Sequence, residues 1–109
     1  MEIDKEKAYK LFFKAISNPT RLKIINVLRN GPKTVTEIVN ETGFEQSRVS
    51  HNLKCLLDCG FIENKRKGKY VIYSLNKDTI LPLLDLMDKH ISLYAEYLIK
   101  CNILKTSKK

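Results

Sequence analysis

TVTEIVNETGFEQSRVSHNLKCLLD, residues 34–58, reads as two helices joined by a tight turn. Thr34 and Glu37 have the Thr-x-x-Glu spacing of a capping box, in which two side chains satisfy backbone N–H groups that the first helical turn leaves unpaired. A short helix then runs through Asn40, and Thr42-Gly43 supplies the turn. The next helix runs from about Glu45 to Asp58 and places Val49, Leu53 and Leu56 on one buried face. Gly60 stands where a left-handed helix end is expected. Two helices linked through a short glycine-containing turn form the helix-turn-helix pattern.

On the N-terminal side, Ala8, Leu11, Phe12 and Ala15 recur at helical spacing within residues 5–16. Ser17-Asn18-Pro19 stops that helix and starts another, because Asn18 can cap and a proline suits the first helical turn. The second helix carries Leu22, Ile25 and Leu28 on one face and ends at Gly31-Pro32. On the C-terminal side, the runs from Phe61 to Arg66 and from Lys69 to Leu75 are rich in β-formers around Lys67-Gly68, a β-hairpin signature. A long last helix is expected from about Thr79 to Ile103, with Pro82 in its first turn. The order α-α-α-α-β-β-α is that of a winged helix-turn-helix, mainly α with a β-hairpin. One domain is expected over residues 1–104, with a flexible basic tail at 105–109.

The chain has 109 residues, 43% of them hydrophobic, and a net charge of +8. A core of that size only marginally supports a monomer, and the positive balance calls for a polyanionic partner. No apolar run approaches the roughly 18 residues that span a bilayer, and the N-terminus lacks a signal-peptide pattern. Cytoplasmic localisation and no membrane partner are the expectations. Three cysteines without a secretion signal argue against a disulfide framework. There is no glycine-rich phosphate loop, no His-Glu-x-x-His and only two histidines, so nothing motivates an enzyme.

The last helix carries two apolar rows. Leu84, Met87, Ile91, Tyr94, Leu98 and Cys101 form one; Leu83, Leu86, His90, Leu93 and Tyr97 form the other. One row could cover the protein's own core, and the second then needs a partner, which favours a homodimer over a helix buried on two sides.

A recognition helix presents its N-terminal side chains to base edges in the major groove. Here these are Gln46, Ser47, Arg48, Ser50 and His51, all able to hydrogen-bond, Gln and Arg bidentately. Such a face could equally be an ordinary solvated one. The hairpin tip adds Lys65, Arg66, Lys67 and Lys69, four cations in five residues. Charge on a strand edge also guards against aggregation, but helix and hairpin together point to double-stranded DNA, with the hairpin on phosphates and the helix on bases.

Residues 17–24 (SNPTRLKI), 46–54 (QSRVSHNLK) and 68–75 (GKYVIYSL) resemble the ArsR/SmtB family of prokaryotic repressors over nearly the whole chain. The resemblance implies a winged-helix dimer joined through its first and last helices, which leaves a palindromic operator when an inducer binds and requires no cofactor to bind DNA. It also implies DNA contacts at Gln46, Ser47, Ser50 and His51. One departure is Glu45, where the family usually has Ser as the helix cap.

Family members sense metals at different places. Paired cysteines in the third helix are absent here, since residues 33–38 are KTVTEI. An Asp-x-His near the start of the last helix is matched by Asp88 and His90, but Leu104 occupies the place of the final ligand. Cys55 and Cys59 lie four apart on one helix face, with Cβ atoms about 6 Å apart, too far for an unstrained disulfide at about 3.5–4.5 Å but suited to two thiolates sharing one ion. Both sit near a helix C-terminus, whose partial negative charge opposes a standing redox thiolate and leaves a proton-displacing metal as the more natural use. Cys101 could add a third sulfur from the same or the other subunit. This set resembles the cadmium/lead-sensing branch of the family, and thiolates select soft ions. The expected inducer is therefore a soft divalent ion, cadmium or lead, with zinc also possible. The alternatives are cysteines that merely pack, a zinc-type site at Asp88 and His90, a thiol redox sensor and a ligand-independent DNA-binding protein.

Overall fold

The computed structural model describes residues 2–100. Cys101, the expected end of the last helix and the tail at 105–109 lie outside the described residues. The chain divides into two compact units, one through Asn76 and one from Lys77 onward.

The first unit holds helices α1 (Lys5–Ser17), α2 (Pro19–Leu28), α3 (Val35–Thr42) and α4 (Gln46–Asp58), followed by strands β1 (Ile62–Lys67) and β2 (Tyr70–Leu75). Asp4 caps α1 by accepting from the Lys7 N–H at 3.2 Å. Asn18 caps α2 by accepting from the Arg21 N–H at 3.1 Å, with Pro19 in the first turn. Helix α2 is the spine of the unit. Ile24, Ile25, Val27 and Leu28 are all buried in it, while Leu22 is only half-buried. The single face read from the sequence is therefore too narrow: α2 touches α1, α3, α4 and β2, and a helix surrounded by neighbours is apolar on more than one side.

Ile38 of α3, Val49, Leu53 and Leu56 of α4, and Phe61, Ile62 and Leu75 of the hairpin complete the core. Each fully buried aliphatic side chain contributes ~1.5–3 kcal/mol over leaving it in water. Phe12 of α1 packs on Phe61 with ring centroids 5.1 Å apart. The strands are antiparallel, from Ile62↔Leu75 to Lys67↔Tyr70. Lys67 is thus the last paired residue and Gly68-Lys69 forms the turn, one residue later than the sequence reading. Gly68 has φ +63° and Lys69 has no positive φ, the hairpin turn whose first central position favours glycine. Lys33 and Tyr73 exchange backbone hydrogen bonds of 2.9 and 2.8 Å, which ties the hairpin to the α2–α3 connection.

The second unit is one helix, α5, described over Ile80–Lys100. Pro82 lies in its first turn, as expected. Tyr94 departs from helical geometry (φ −125°, ψ 21°) and kinks it. The rings of His90, Tyr94 and Tyr97 follow one another along the helix at 4.7 and 5.7 Å.

Candidate nucleic-acid interface

The geometry of the reading face begins at α3. The Thr34 N–H donates to the Glu37 carboxylate at 2.8 Å, and the Glu37 N–H donates to the Thr34 hydroxyl at 3.2 Å, the reciprocal capping box the spacing demands. Gly43 closes α3 at φ +77°, and its N–H donates to the Val39 carbonyl at 2.8 Å. Thr42 then stiffens the turn. Its hydroxyl donates to the Ile38 carbonyl at 2.8 Å and accepts from the Phe44 N–H at 3.2 Å. Glu45 stands at the N-cap of α4 without a side-chain cap bond, as the weaker capping of Glu leads one to expect.

Val49, Asn52, Leu53 and Leu56 turn α4 inward. Gln46, Ser47, Ser50, His51 and Lys54 are exposed, and this spacing lines one side of a helix. The Arg48 guanidinium, expected to face DNA, is directed back onto the protein. Its Nε and Nη2 donate to the buried Thr20 hydroxyl at 3.1 and 2.6 Å, and its Cζ lies 4.0 Å from the Phe44 ring centre. Beside it, Arg21 donates to the Ala15 carbonyl at 2.9 Å and to the Asn52 Oδ1 at 3.3 Å, and the Asn52 amide donates to the Arg48 carbonyl at 2.9 Å. Thr20, Arg21, Asn52 and Arg48 therefore fasten α4 to α2 and to the end of α1. The sequence reading missed this network, whose only signal is a polar Asn on the apolar face of α4.

Lys65, Arg66, Lys67 and Lys69 are all exposed on the hairpin. Alternation along the strand sends Lys65 and Lys67 to one face and Arg66 to the other. Lys67, Tyr70 and Ile72 face Thr34, Thr36 and Glu37 across an open cleft of about 520 Å3, so the wing stands beside the start of α3.

Cys55 is half-buried and Cys59 exposed, both as free thiols. Cys59 caps the C-terminal end of α4, and Gly60 follows at φ +77° as expected. The His51 Nε2 lies 3.9 Å from the Cys55 Sγ, one turn earlier on the same helix. Among the described residues no three His, Cys, Asp or Glu side chains are gathered closely enough to hold an ion by themselves. Asp88 and His90 are exposed on α5, and the His90 ring rests against Tyr94.

Residues 18–64, from the α2 cap through the start of the wing, match the family described as bacterial regulatory protein, arsR family. The chain is also 37% identical over 81 residues to the transcriptional repressor SdpR of Bacillus subtilis, covering 71% of this chain and 90% of that protein. The chain belongs to the arsR family. It is 40% identical over 72 residues to a probable mercury resistance operon repressor of Streptomyces lividans, and 42% identical over 71 residues to the regulator NmtR of Mycobacterium tuberculosis. These alignments cover 66% and 65% of this chain but only 58% and 59% of those two relatives.

Among solved structures, apo-NmtR superimposes with a TM-score of 0.68 at 35% identity, over 84% of this chain and 79% of that one. The homodimeric winged helix-turn-helix DNA-binding domain Mb0332 of Mycobacterium bovis gives 0.68 at 27% identity, over 84% and 90%. The winged helix-turn-helix order expected from the sequence is thus the observed fold, shared with a homodimeric neighbour. The arsR family consists of regulatory proteins rather than enzymes. No helix among the described residues is long and apolar enough to cross a membrane.

Proposed function

We propose that this protein is a homodimeric transcriptional repressor of the cytoplasm that binds a palindromic double-stranded operator and releases it when a soft metal ion binds. The observation that carries the DNA reading is the exposed polar face of α4 beside a wing bearing four exposed cations. Gln46, Ser47, Ser50 and His51 would meet base edges, and Lys65, Arg66, Lys67 and Lys69 would meet phosphates. Arg48 serves this interface from behind: with its guanidinium on Thr20, it sets how α4 is presented.

The dimer reading rests on apolar surface. On α5, Leu86, Leu93 and Tyr97 are 65%, 65% and 70% exposed. On α1, Tyr9, Leu11 and Phe13 are exposed as well. Joining two copies through their first and last helices would cover both surfaces and set the spacing of two reading heads.

The metal reading rests on Cys55 and Cys59, two free thiols one turn apart on α4. Their donor chemistry fits a soft ion, and Cys101, outside the described residues, is the proposed third sulfur. The relative named for mercury resistance agrees with a soft inducer. Cadmium and lead are the favoured ions. The alternative pair, Asp88 and His90, is exposed on α5, with the His90 ring against Tyr94 at 4.7 Å. A bound ion would supply a link between α4 and the C-terminal region, shifting the dimer population toward a form whose two heads no longer match the operator. A coupling of about 1–3 kcal/mol is typical of such switches.

Selection of binding sites from a random DNA library by the full chain tests the DNA reading. Recovery of a palindrome with half-sites one helical turn, or a multiple of it, apart is the expected result. Enrichment of no sequence over bulk DNA would reduce the protein to a non-specific polycation.

A further inference from the structure

His51 and Cys55 have so far been assigned to different tasks, one to DNA and one to metal. Their side chains nevertheless converge: His51 Nε2 lies 3.9 Å from Cys55 Sγ. Metal–nitrogen and metal–sulfur bonds in zinc-like sites are about 2.0–2.1 and 2.3 Å. Two donors 3.9 Å apart therefore both reach one ion, at an N–metal–S angle of about 125°. One turn further, Cys59 stands at the C-cap of α4, so residues 51, 55 and 59 are spaced i, i+4 and i+8. His51 is exposed and Cys55 half-buried, which leaves the pair open to an ion from solvent.

We propose that His51 is a metal ligand as well as a reading side chain, its Nε2 and the Cys55 Sγ holding one divalent ion. This inference rests on the thiolate reading given above and extends it in two ways. An imidazole whose Nε2 is bound to a metal cannot offer that nitrogen to a base edge, so ion and operator compete for one side chain, in addition to any change in how the dimer is arranged. An imidazole among the donors also widens the accepted ions from the soft ones to borderline zinc and cobalt.

The test uses the 109-residue chain and Co2+ or Zn2+ alone as probes. Co2+ titrations of wild type, H51A, C55S and C59S are followed by thiolate-to-metal absorbance, with circular dichroism reporting the fold. Long-range 1H–15N spectra of the imidazole rings are recorded on wild type with and without Zn2+. The protein has two histidines, so His90 is the reference within the same spectrum. The expected result is a loss of roughly tenfold or more in Co2+ affinity for H51A, and a Zn2+-dependent shift of the His51 ring nitrogens with those of His90 unmoved. If H51A binds Co2+ like wild type and the His51 ring signals of the wild-type protein stay in place on adding Zn2+, while C55S and C59S lose the metal, His51 is no ligand and the thiolate reading survives. If none of the three variants changes Co2+ binding, both fail. A Zn2+ shift at His90 instead of His51 moves the site to α5 and also overturns the proposal.

Discussion

Replacing Thr20 with Val separates a residue that positions the recognition helix from one that touches DNA. Thr20 is buried and its hydroxyl accepts two hydrogen bonds from Arg48, at 3.1 and 2.6 Å. Valine has nearly the same shape, so no cavity forms and the loss is that of the bonds. Hydrogen bonds to a charged group contribute about 1.5–3 kcal/mol. Arg48 is itself exposed, so water replaces part of what it loses, and the expected cost falls to about 1 kcal/mol. R48A removes the same interaction from the other side, and the double variant should lose little more than either single one, giving a coupling of about 1 kcal/mol. Urea unfolding reads this, with all four proteins at one concentration because a dimer's stability depends on it. On a selected operator, T20V and R48A should weaken binding to a similar, modest degree. Additive stability losses would refute the buttress. So would an R48A variant that loses operator affinity far beyond T20V, since Arg48 would then reach the DNA directly.

Neutralising Lys67 and Lys69 together should weaken binding to all sequences alike and flatten the dependence of log affinity on log salt by roughly 2 per protomer; an unchanged salt slope removes the wing from the interface. Gln46→Ala should instead cost about 1–3 kcal/mol of discrimination at one operator base pair, read from affinities for single-base variants, and uniform weakening would move Gln46 to a phosphate. Ile91, 47% exposed in the single chain, should face the partner helix. I91E places an unpaired charge in that apolar seam, so light scattering should report monomer and operator affinity should fall; a dimer as tight as wild type relocates the interface.

Much of the first unit was legible because its signals are local. Asn18-Pro19, the Thr34–Glu37 capping box, Gly43 and Gly60 each act within a few residues, and the structure places each where the spacing put it. The inward row of α4, Val49, Leu53 and Leu56, follows from helical period alone. The burial of α2 on several sides was not legible, since periodicity shows an apolar face but not how many neighbours surround it. The Arg48–Thr20 and Arg21–Asn52 bonds join residues 28 and 31 positions apart, and no local pattern announces them. Arg48 therefore read as one more polar residue on an exposed helix. The His51–Cys55 contact follows the i, i+4 rule, but spacing alone does not show that a base-reading side chain and a thiol turn toward each other. The kink at Tyr94 had no signal, for Leu93-Tyr94-Ala95 holds neither Pro nor Gly.

The central claim is that thiols on the recognition helix control release of DNA. The direct measurement is fluorescence anisotropy of a labelled operator bound to wild type, C55S or C59S and titrated with Cd2+. Without metal the three proteins should bind the operator nearly alike, because Ser is close to Cys in size and neither sulfur lies in the buried core. With Cd2+, wild type should lose affinity by roughly 5–150-fold, while both variants should stay on the DNA, since a neutral hydroxyl is a poor ligand for a soft ion. Release of both variants at the same Cd2+ concentration as wild type would contradict the account.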